Sequence, residues 1–245
     1  MSSNVFLVCT ATRTEYDACA DGIRDAGARG FELLLVGVGP VHAARSLRDR
    51  LAREPVPSRI LSTGFAGALA GGVALGAWIT AETLSEWDGA SLVSIAAHGA
   101  QLPHLLHLFP CIACDVVSVD HLVGRDSPLR RLASARLASA RPLVADMESA
   151  ALAREASARG IPFSVVRLVS DTPEHPLPEF LSPFTAAMAG TDARTRLALA
   201  ARGVGSAVMD PRGVARLLAE GRNWTKKLRD GFGTLARIEV ASLSR

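Results

Sequence analysis

Short apolar runs alternate along the chain with longer segments rich in alanine and arginine. Short apolar runs that end at polar, glycine or proline clusters are typical of buried strands, whereas alanine- and arginine-rich segments favour helices. The pattern predicts strands at residues 4–11, 31–36, 59–62, 75–82, 111–119, 143–145 and 163–169. It predicts helices at residues 15–25, 41–53, 130–140, 149–159, 186–201, 213–221 and 224–235. This alternation indicates an α/β fold in which parallel strands carry helices on both faces.

The length of 245 residues and the hydrophobic content of 49% are sufficient for one large α/β domain. No repeat, low-complexity linker or boundary divides the chain. We therefore expect residues 1–245 to form a single domain, with residues 174–245 as a mainly helical C-terminal extension. Four prolines predict a loop, at the rim of a site or as a lid over it, where that extension begins. They are Pro173, Pro176, Pro178 and Pro183.

The stretch from Arg141 to Asp171 carries the clearest candidate chemistry. One predicted strand leads through Asp146 and Glu148 into a helix, and the next predicted strand leads directly to Asp171. Ligands of α/β sheets bind beyond the carboxyl ends of the strands. We therefore expect Glu148 and Asp171 to lie at the same rim of the sheet.

The charge is small overall but uneven. The formal net charge is +3, and residues 211–237 hold seven basic and two acidic residues, a local charge of +5. We interpret this segment as a solvated helix face, with contact to an anionic partner as the alternative. Lysine occurs only at Lys226 and Lys227, and we attribute the arginine- and alanine-rich composition to genomic bias rather than to nucleic-acid binding.

Cysteine and histidine patterns do not predict a metal site. Cys111 and Cys114 have a CxxC spacing without a second pair, in a strand-like setting that favours buried, inert thiols. His98, His104 and His107 have no acidic ligand nearby, so we interpret them as surface or structural histidines. The expectation is no metal and no tightly bound cofactor.

A glycine turn at residues 37–40 joins a predicted strand to a helix, so its backbone amides could face an anion. His42 stands where the dinucleotide fingerprint requires its third glycine, which argues against a nicotinamide dehydrogenase.

The N-terminus lacks a basic region and a long apolar run, and no segment approaches the roughly 20 apolar residues of a membrane span. These features predict a cytoplasmic protein.

Several motifs together resemble the nucleoside phosphorylase/nucleosidase superfamily, which contains purine nucleoside phosphorylases and methylthioadenosine/S-adenosylhomocysteine nucleosidases. The resemblance spans roughly residues 4–172. The motifs that carry it are, in chain order, Ala11–Glu15, Gly37–Pro40, Ser62–Gly67 with Gly76–Ile79, Asp146–Ser149 and Arg167–Asp171. The resemblance implies one α/β domain built on a twisted, mixed sheet with helices on both faces. It also implies a homodimer or higher homo-oligomer with the site near a subunit interface.

The resemblance also implies roles for the residues at the strand ends. Glu148, with Met147, would bind the ribose hydroxyls and stabilise an oxocarbenium-like transition state. Asp171 would protonate the purine or hydrogen-bond to it at N7, which requires a raised pKa. Ser170 and Arg167 would orient Asp171 beside the base.

The nucleophile is left open between water and phosphate. In a nucleosidase, Glu15 would activate a water molecule. In a phosphorylase, Arg13 and the backbone amides of the two glycine turns, including those at Gly39, Gly64 and Phe65, would bind inorganic phosphate as a co-substrate.

Two positions depart from the nucleosidase pattern. Phe65 stands where serine is common, and Leu122 stands where an aromatic residue stacks on the base. The form of the motif at residues 146–149 and the basic C-terminal helices are more similar to the hopanoid-associated phosphorylase branch, whose members are thought to act on a lipid-linked adenosyl precursor. A basic, amphipathic C-terminal segment would also suit weak contact with a membrane surface.

The sequence thus predicts cleavage of the N-glycosidic bond of an adenosine-type purine nucleoside, preferably by phosphorolysis. The alternatives are a hydrolytic nucleosidase of the methylthioadenosine/S-adenosylhomocysteine type and a non-catalytic nucleoside-binding protein. A small-molecule nucleoside, free or lipid-linked, is the expected partner.

Overall fold

The computed structural model describes residues 5–95, 109–137, 141–190 and 192–243. Within these ranges the chain forms eight strands and seven helices. The strands are β1 (Phe6–Thr10), β2 (Phe31–Leu35), β3 (Arg59–Ala68), β4 (Trp78–Trp87), β5 (Leu92–Ser94), β6 (Ile112–Ser118), β7 (Leu143–Asp146) and β8 (Phe163–Asp171). The helices are α1 (Arg13–Asp25), α2 (Pro40–Leu51), α3 (Pro128–Arg136), α4 (Ser149–Ser157), α5 (Leu181–Ala189), α6 (Ala193–Met209) and α7 (Pro211–Leu243).

The strands form one mixed sheet, part of which closes on itself. β2, β1 and β3 pair in parallel, and β3 continues in parallel to β8. β8 pairs antiparallel with β4, β4 pairs in parallel with β6, and β6 pairs in parallel with β7. β7 returns to the end of β3 in antiparallel fashion, which closes a ring of five strands. The predicted α/β class with a mixed sheet is confirmed.

Several element boundaries differ from the prediction: β4 runs to Trp87 instead of residue 82, and β5 was not predicted. The glycine-rich segment after residue 62 is not a turn, because β3 runs on to Ala68 and pairs there with β8 and β7. The predicted helix at residues 186–201 is two helices, which separate where Asp192 caps α6 by accepting hydrogen bonds from Arg194 and Thr195. The two helices predicted at residues 213–235 are one continuous helix, α7.

α7 is held continuous by its packing against α1. A Cβ atom built at Gly22 would lie 2.5 Å from the Arg229 carbonyl oxygen and 2.9 Å from the Gly233 amide nitrogen, so the two helices touch through glycine. Leu228 and Phe232 of α7 are fully buried against the sheet. This tertiary packing outweighs the poor helix propensity of the glycines that suggested a break.

Cys114 is buried and Cys111 is half-buried, whereas the histidine cluster falls outside the described residues. Burial raises the pKa of Cys111 and of Cys114 to about 12, so both thiols are protonated at neutral pH. His98, His104 and His107 lie within the segment 96–108, which the structure does not describe. Among the described residues, no group of three or more His, Cys, Asp or Glu side chains is arranged to hold a metal ion.

Candidate active site

The carboxyl ends of β1, β6, β7 and β8 open into one cavity of about 1230 Å³. Its floor is formed by residues that follow these strands and by the end of β3. Its outer wall is formed by the proline-containing segment 176–183 and by side chains of α5 and α6. Glu15, Glu148 and Asp171 all line this cavity.

Glu148 follows β7 and is almost completely buried. Its Oε1 accepts a hydrogen bond of 2.9 Å from the Gly39 amide, and its Oε2 lies 3.6 Å from Nη2 of Arg167. Burial raises the pKa of Glu148 to about 7, although Arg167 opposes this rise and the neighbouring Asp146 adds to it. One carboxylate oxygen is therefore held by the glycine turn at the start of α2.

Arg167 lies beneath the cavity rather than in it. Its Nη2 is 2.9 Å from Oδ2 of Asp146 and donates hydrogen bonds to the hydroxyls of Ser62, at 2.9 Å, and Ser149, at 3.2 Å. The side chain is only 2% exposed and does not line the cavity. The expectation that Arg167 binds the base and orients Asp171 is therefore corrected, because its guanidinium is directed at the carboxylates of β7.

Glu15 is fixed by four hydrogen bonds at the start of α1. Its Oε2 accepts from the amides of Ala11 and Thr12, at 3.1 and 2.8 Å, and from the Thr12 hydroxyl at 2.9 Å. Its Oε1 accepts from the Phe65 amide at 2.8 Å. A Cβ atom at Gly64 would lie 2.2 Å from Oε1, so the close approach of β3 to this carboxylate requires glycine there. Glu15 is therefore both part of a capping box with Thr12 and a rigid part of the cavity floor.

Asp171 ends β8 on another side of the same floor. Its Oδ1 accepts a hydrogen bond of 3.0 Å from the Ser170 hydroxyl. Burial raises the pKa of Asp171, while the Ser170 hydroxyl and the charge of Arg130 oppose the rise. A Cβ atom at Gly67 would lie 2.6 Å from Oδ2, so glycine in β3 leaves the space that this carboxylate occupies. The raised pKa favours a carboxyl group that can carry a proton.

The remaining predicted residues divide between the cavity and its surroundings. Met147, Leu122, Phe65 and Ser170 line the cavity. Gly39 and Gly64 lie beneath the cavity. Gly39 donates a hydrogen bond to Glu148, and Gly64 leaves the space that the Glu15 carboxylate occupies.

Arg13 faces solvent. Its side chain is 73% exposed, and its guanidinium pairs with Asp17 and lies over the Tyr16 ring, 5.2 Å from the centroid. It does not line the cavity, so its expected role as a phosphate ligand is corrected. In a helix, positions 13 and 15 point in roughly opposite directions, and the capping contact turns Glu15 inward.

Sequence reasoning missed three functional features of the cavity. Asp146 pairs with the buried Arg167, a role that its place in the 146–149 motif could have suggested. Arg130 reaches the cavity from α3 and contacts the carbonyl oxygens of Ala68 and Leu69, a placement that no pattern in the sequence indicates. The contribution of α6 to the outer wall was also not expected.

No protein-family model matches the sequence, and no curated protein matches it significantly. Solved structures do match the fold. A 5′-methylthioadenosine/S-adenosylhomocysteine nucleosidase from Helicobacter pylori superposes with a TM-score of 0.59 at 16% identity, over 82% of this chain and 99% of that chain. Futalosine hydrolase from the same organism has a TM-score of 0.59 at 15% identity, over 83% and 98%. An S-adenosylhomocysteine nucleosidase from Streptococcus pyogenes has a TM-score of 0.54 at 21% identity, over 83% and 97%.

These similarities establish that the chain has the nucleoside phosphorylase/nucleosidase fold. The expected fold family is therefore confirmed at the level of structure, and the likeness extends over most of the chain.

Proposed function

We propose that this protein cleaves the N-glycosidic bond of an adenosine-type purine nucleoside, with water as the nucleophile. The observation that carries the proposal is the convergence of Glu15, Glu148 and Asp171 on one cavity at the carboxyl ends of the strands. The cleavage places positive character on the sugar and negative charge on the departing base. Three carboxyl groups in different environments can meet these demands separately.

Glu148 binds the ribose in this proposal. Its Oε1 is held by Gly39, and its negative charge lies against the sugar when the carboxyl group is ionised. A carboxylate accepts hydrogen bonds from two adjacent hydroxyls and stabilises an oxocarbenium-like transition state more than the neutral substrate. Arg167, below, holds Glu148 in place without reaching the ligand. Met147, nine-tenths buried, supplies an apolar surface beside it.

Asp171 is the proton donor to the base. Its raised pKa increases the protonated fraction, and Ser170 holds one of its oxygens. Protonation at N7 lets the purine depart as a neutral molecule, which lowers the barrier of bond cleavage. Leu122 and Phe65 provide apolar surface for the base, with less stacking than two aromatic residues would give.

Two of the amides that could bind phosphate are already engaged. The Gly39 amide donates to Glu148, and the Phe65 amide donates to Glu15. Arg13 faces solvent, and the floor of the cavity carries carboxylates that repel a phosphate anion. These contacts favour hydrolysis over the phosphorolysis that the sequence suggested, with Glu15 positioned to accept a proton from the attacking water.

The size of the cavity supports a substrate larger than a simple nucleoside. Its volume of about 1230 Å³ exceeds the roughly 300–1,000 Å³ of most small-molecule pockets. Part of its wall is apolar and comes from α5 and α6. A 5′-substituent of considerable size, such as a thioether or the lipid chain that the sequence resemblance implied, would fit such a cavity. No cofactor is needed for this chemistry, and assembly into a homodimer remains a prediction.

The experiment is to measure free adenine released from adenosine, methylthioadenosine and an adenosyl-lipid analogue, each with and without inorganic phosphate. We expect release without phosphate, and the same rate when phosphate is added. Release that requires phosphate would refute the assignment of water and support a phosphorylase. Tight binding of a nucleoside without release would support a non-catalytic binding protein. As a matched control, Arg13→Gln should not affect a hydrolytic reaction, but it should impair phosphorolysis if Arg13 binds phosphate.

A further inference from the structure

One face of α6 is apolar and exposed. Leu197, Val204 and Val208 have 74%, 54% and 72% of their surface exposed. Their spacing of seven and then four residues places them on one side of a helix. We call these three residues the α6 stripe.

Another face of α6 is packed against α5. A Cβ atom at Gly203 would lie 2.9 Å from the Phe184 ring, so the two helices approach closely there. At 100° per residue, Gly203 lies more than a quarter turn away from every member of the α6 stripe. The stripe is therefore turned away from the protein by the packing of the helix itself.

Arginines flank the α6 stripe on both sides. α6 contains Arg194, Arg196 and Arg202 and no acidic residue. On the helical projection, Arg194 lies about 60° from the stripe on one side and Arg196 about 100° from it on the other, whereas Arg202 lies about 140° away and lines the cavity. Among the residues that the structure describes, the guanidinium groups of Arg194 and Arg196 have no carboxylate partner. A helix with an exposed apolar stripe between cationic side chains has the character of a helix that lies in a lipid–water interface.

A second copy of the chain fits this surface poorly. In a two-fold symmetric contact each surface meets its own copy, so four arginines would gather around the paired stripes with no acidic residue of α6 to offset them. An anionic lipid surface supplies the opposite charge along the whole length of the helix.

We propose that the α6 stripe docks on an anionic membrane surface, with Arg194 and Arg196 on the lipid headgroups. The contact is peripheral, since no helix within the described ranges is sufficiently long and apolar to cross a bilayer. Met209, at the end of the same helix, is 85% exposed and also lines the nucleoside cavity. Docking thus places the outer wall of the cavity beside the lipid, where an amphiphilic substrate would be concentrated.

The test uses the full chain and does not depend on its enzymatic activity. Co-sedimentation is measured with phosphatidylcholine vesicles and with vesicles that contain about a quarter phosphatidylglycerol. We expect binding to the anionic vesicles that weakens as salt is added. The combined variant L197S/V204S/V208S and the charge variant R194Q/R196Q should each bind at least about tenfold more weakly. Val93→Ser, at another exposed apolar position, is the matched control and should bind like the unchanged protein.

The contrary outcomes are distinct. Absence of binding to anionic vesicles would overturn the proposal, as would equal binding by the L197S/V204S/V208S variant. Sedimentation velocity without lipid gives a further check. A dimer of the unchanged chain that dissociates in this variant would identify the surface as an interface between copies and overturn the membrane assignment. Thermal unfolding of each variant verifies that the exposed substitutions leave the fold intact.

Discussion

Replacing Glu148 by glutamine should stabilise the folded protein at neutral pH while it removes activity. Burial raises the pKa of this carboxyl group from 4.5 to about 7, so ionising it in the fold is unfavourable. A difference of this size corresponds to about 3 kcal/mol. Glutamine keeps an oxygen that can accept the hydrogen bond from Gly39 and has no charge to bury. Glu148→Gln should therefore remove most of that destabilisation.

The pH dependence of this stability difference follows from the direction of the pKa shift of Glu148. The folded pKa is above the unfolded pKa, so the protein with Glu148 is most favoured below pH 4.5 and loses stability as the pH rises from 4.5 to about 7. Above that range the loss is complete and constant. The gain in free energy of unfolding from Glu148→Gln should thus be small near pH 4, grow between pH 4.5 and 7, and reach up to about 3 kcal/mol at higher pH.

Urea unfolding across this pH range measures the difference directly, because comparing the same pair of proteins at each pH cancels the pH effects that they share. Glu220→Gln, at an exposed position of α7, controls for the loss of one carboxylate. A gain in free energy of unfolding that does not vary with pH would refute the reasoning. So would a Glu148→Gln protein that is less stable than the unchanged protein at neutral pH. Either result would mean that Arg167 compensates the burial of Glu148 fully.

Further predictions concern Asp171 and the glycines that position it and α7. Asp171→Asn should lower turnover by about 10²–10⁴, measured as adenine release, and the unchanged enzyme should lose activity as the pH rises through the raised pKa of Asp171. Gly67→Ala should also lower kcat, because its Cβ would displace the Asp171 carboxylate, whereas Gly221→Ala, which has open space around it, should leave kcat unchanged. Gly22→Ala should destabilise the fold by about 1–3 kcal/mol in thermal unfolding, since its Cβ would push α7 away from α1, and an unchanged melting temperature would contradict that close contact.

The positions of Glu148 and Asp171 could be predicted because they depend on a general property of the fold. Strand ends that share a sheet edge bring their side chains together, and both residues stand where an apolar strand run gives way to polar chain. Glu15 was expected in the site only because Ala11–Glu15 resembles the N-terminal motif of the nucleosidases. The capping box that fixes it was not identified, although Thr12 and Glu15 have the required spacing.

The direction of Arg167 could not be predicted from the strand alone. Side chains that are two or four residues apart point to the same face of a regular strand, which would place Arg167 and Asp171 together. The register between β3 and β8 shifts just before Asp171: Ala66 pairs with Val169, and Gly67 pairs with Asp171. Because Ser170 is an extra residue in β8, the side chains after it, including that of Asp171, point to the face opposite to the one that regular alternation predicts. No local feature of the sequence indicates that the register between the two strands shifts at this point.

The glycine-rich segment of β3 was misread for a related reason. Glycine is poor in strands and favours turns, so residues 63–72 suggested a corner. In the fold, Gly64 and Gly67 instead make room for the carboxylates of Glu15 and Asp171, which approach the strand closely. The preference of glycine for turns was outweighed by contacts with Glu15 and Asp171. These residues lie about 50 and 100 positions away, so a local sequence pattern cannot reveal the contacts.

The two sides of the cavity differ in how they can open. Two carboxylates of the floor, Glu15 and Glu148, are fixed by backbone amides of β3 and of the turn before α2, at the edge of a closed ring of strands. The outer wall is a pair of helices that pack mainly on each other, α5 and α6. Segments with few contacts to the rest of a protein open at a lower free energy than the core does. The wall therefore opens at a lower free energy than the floor. Under the proposed function, a bulky nucleoside would enter there while the distances between the floor carboxylates stay fixed, so access and chemistry would belong to different cooperative units of the same chain.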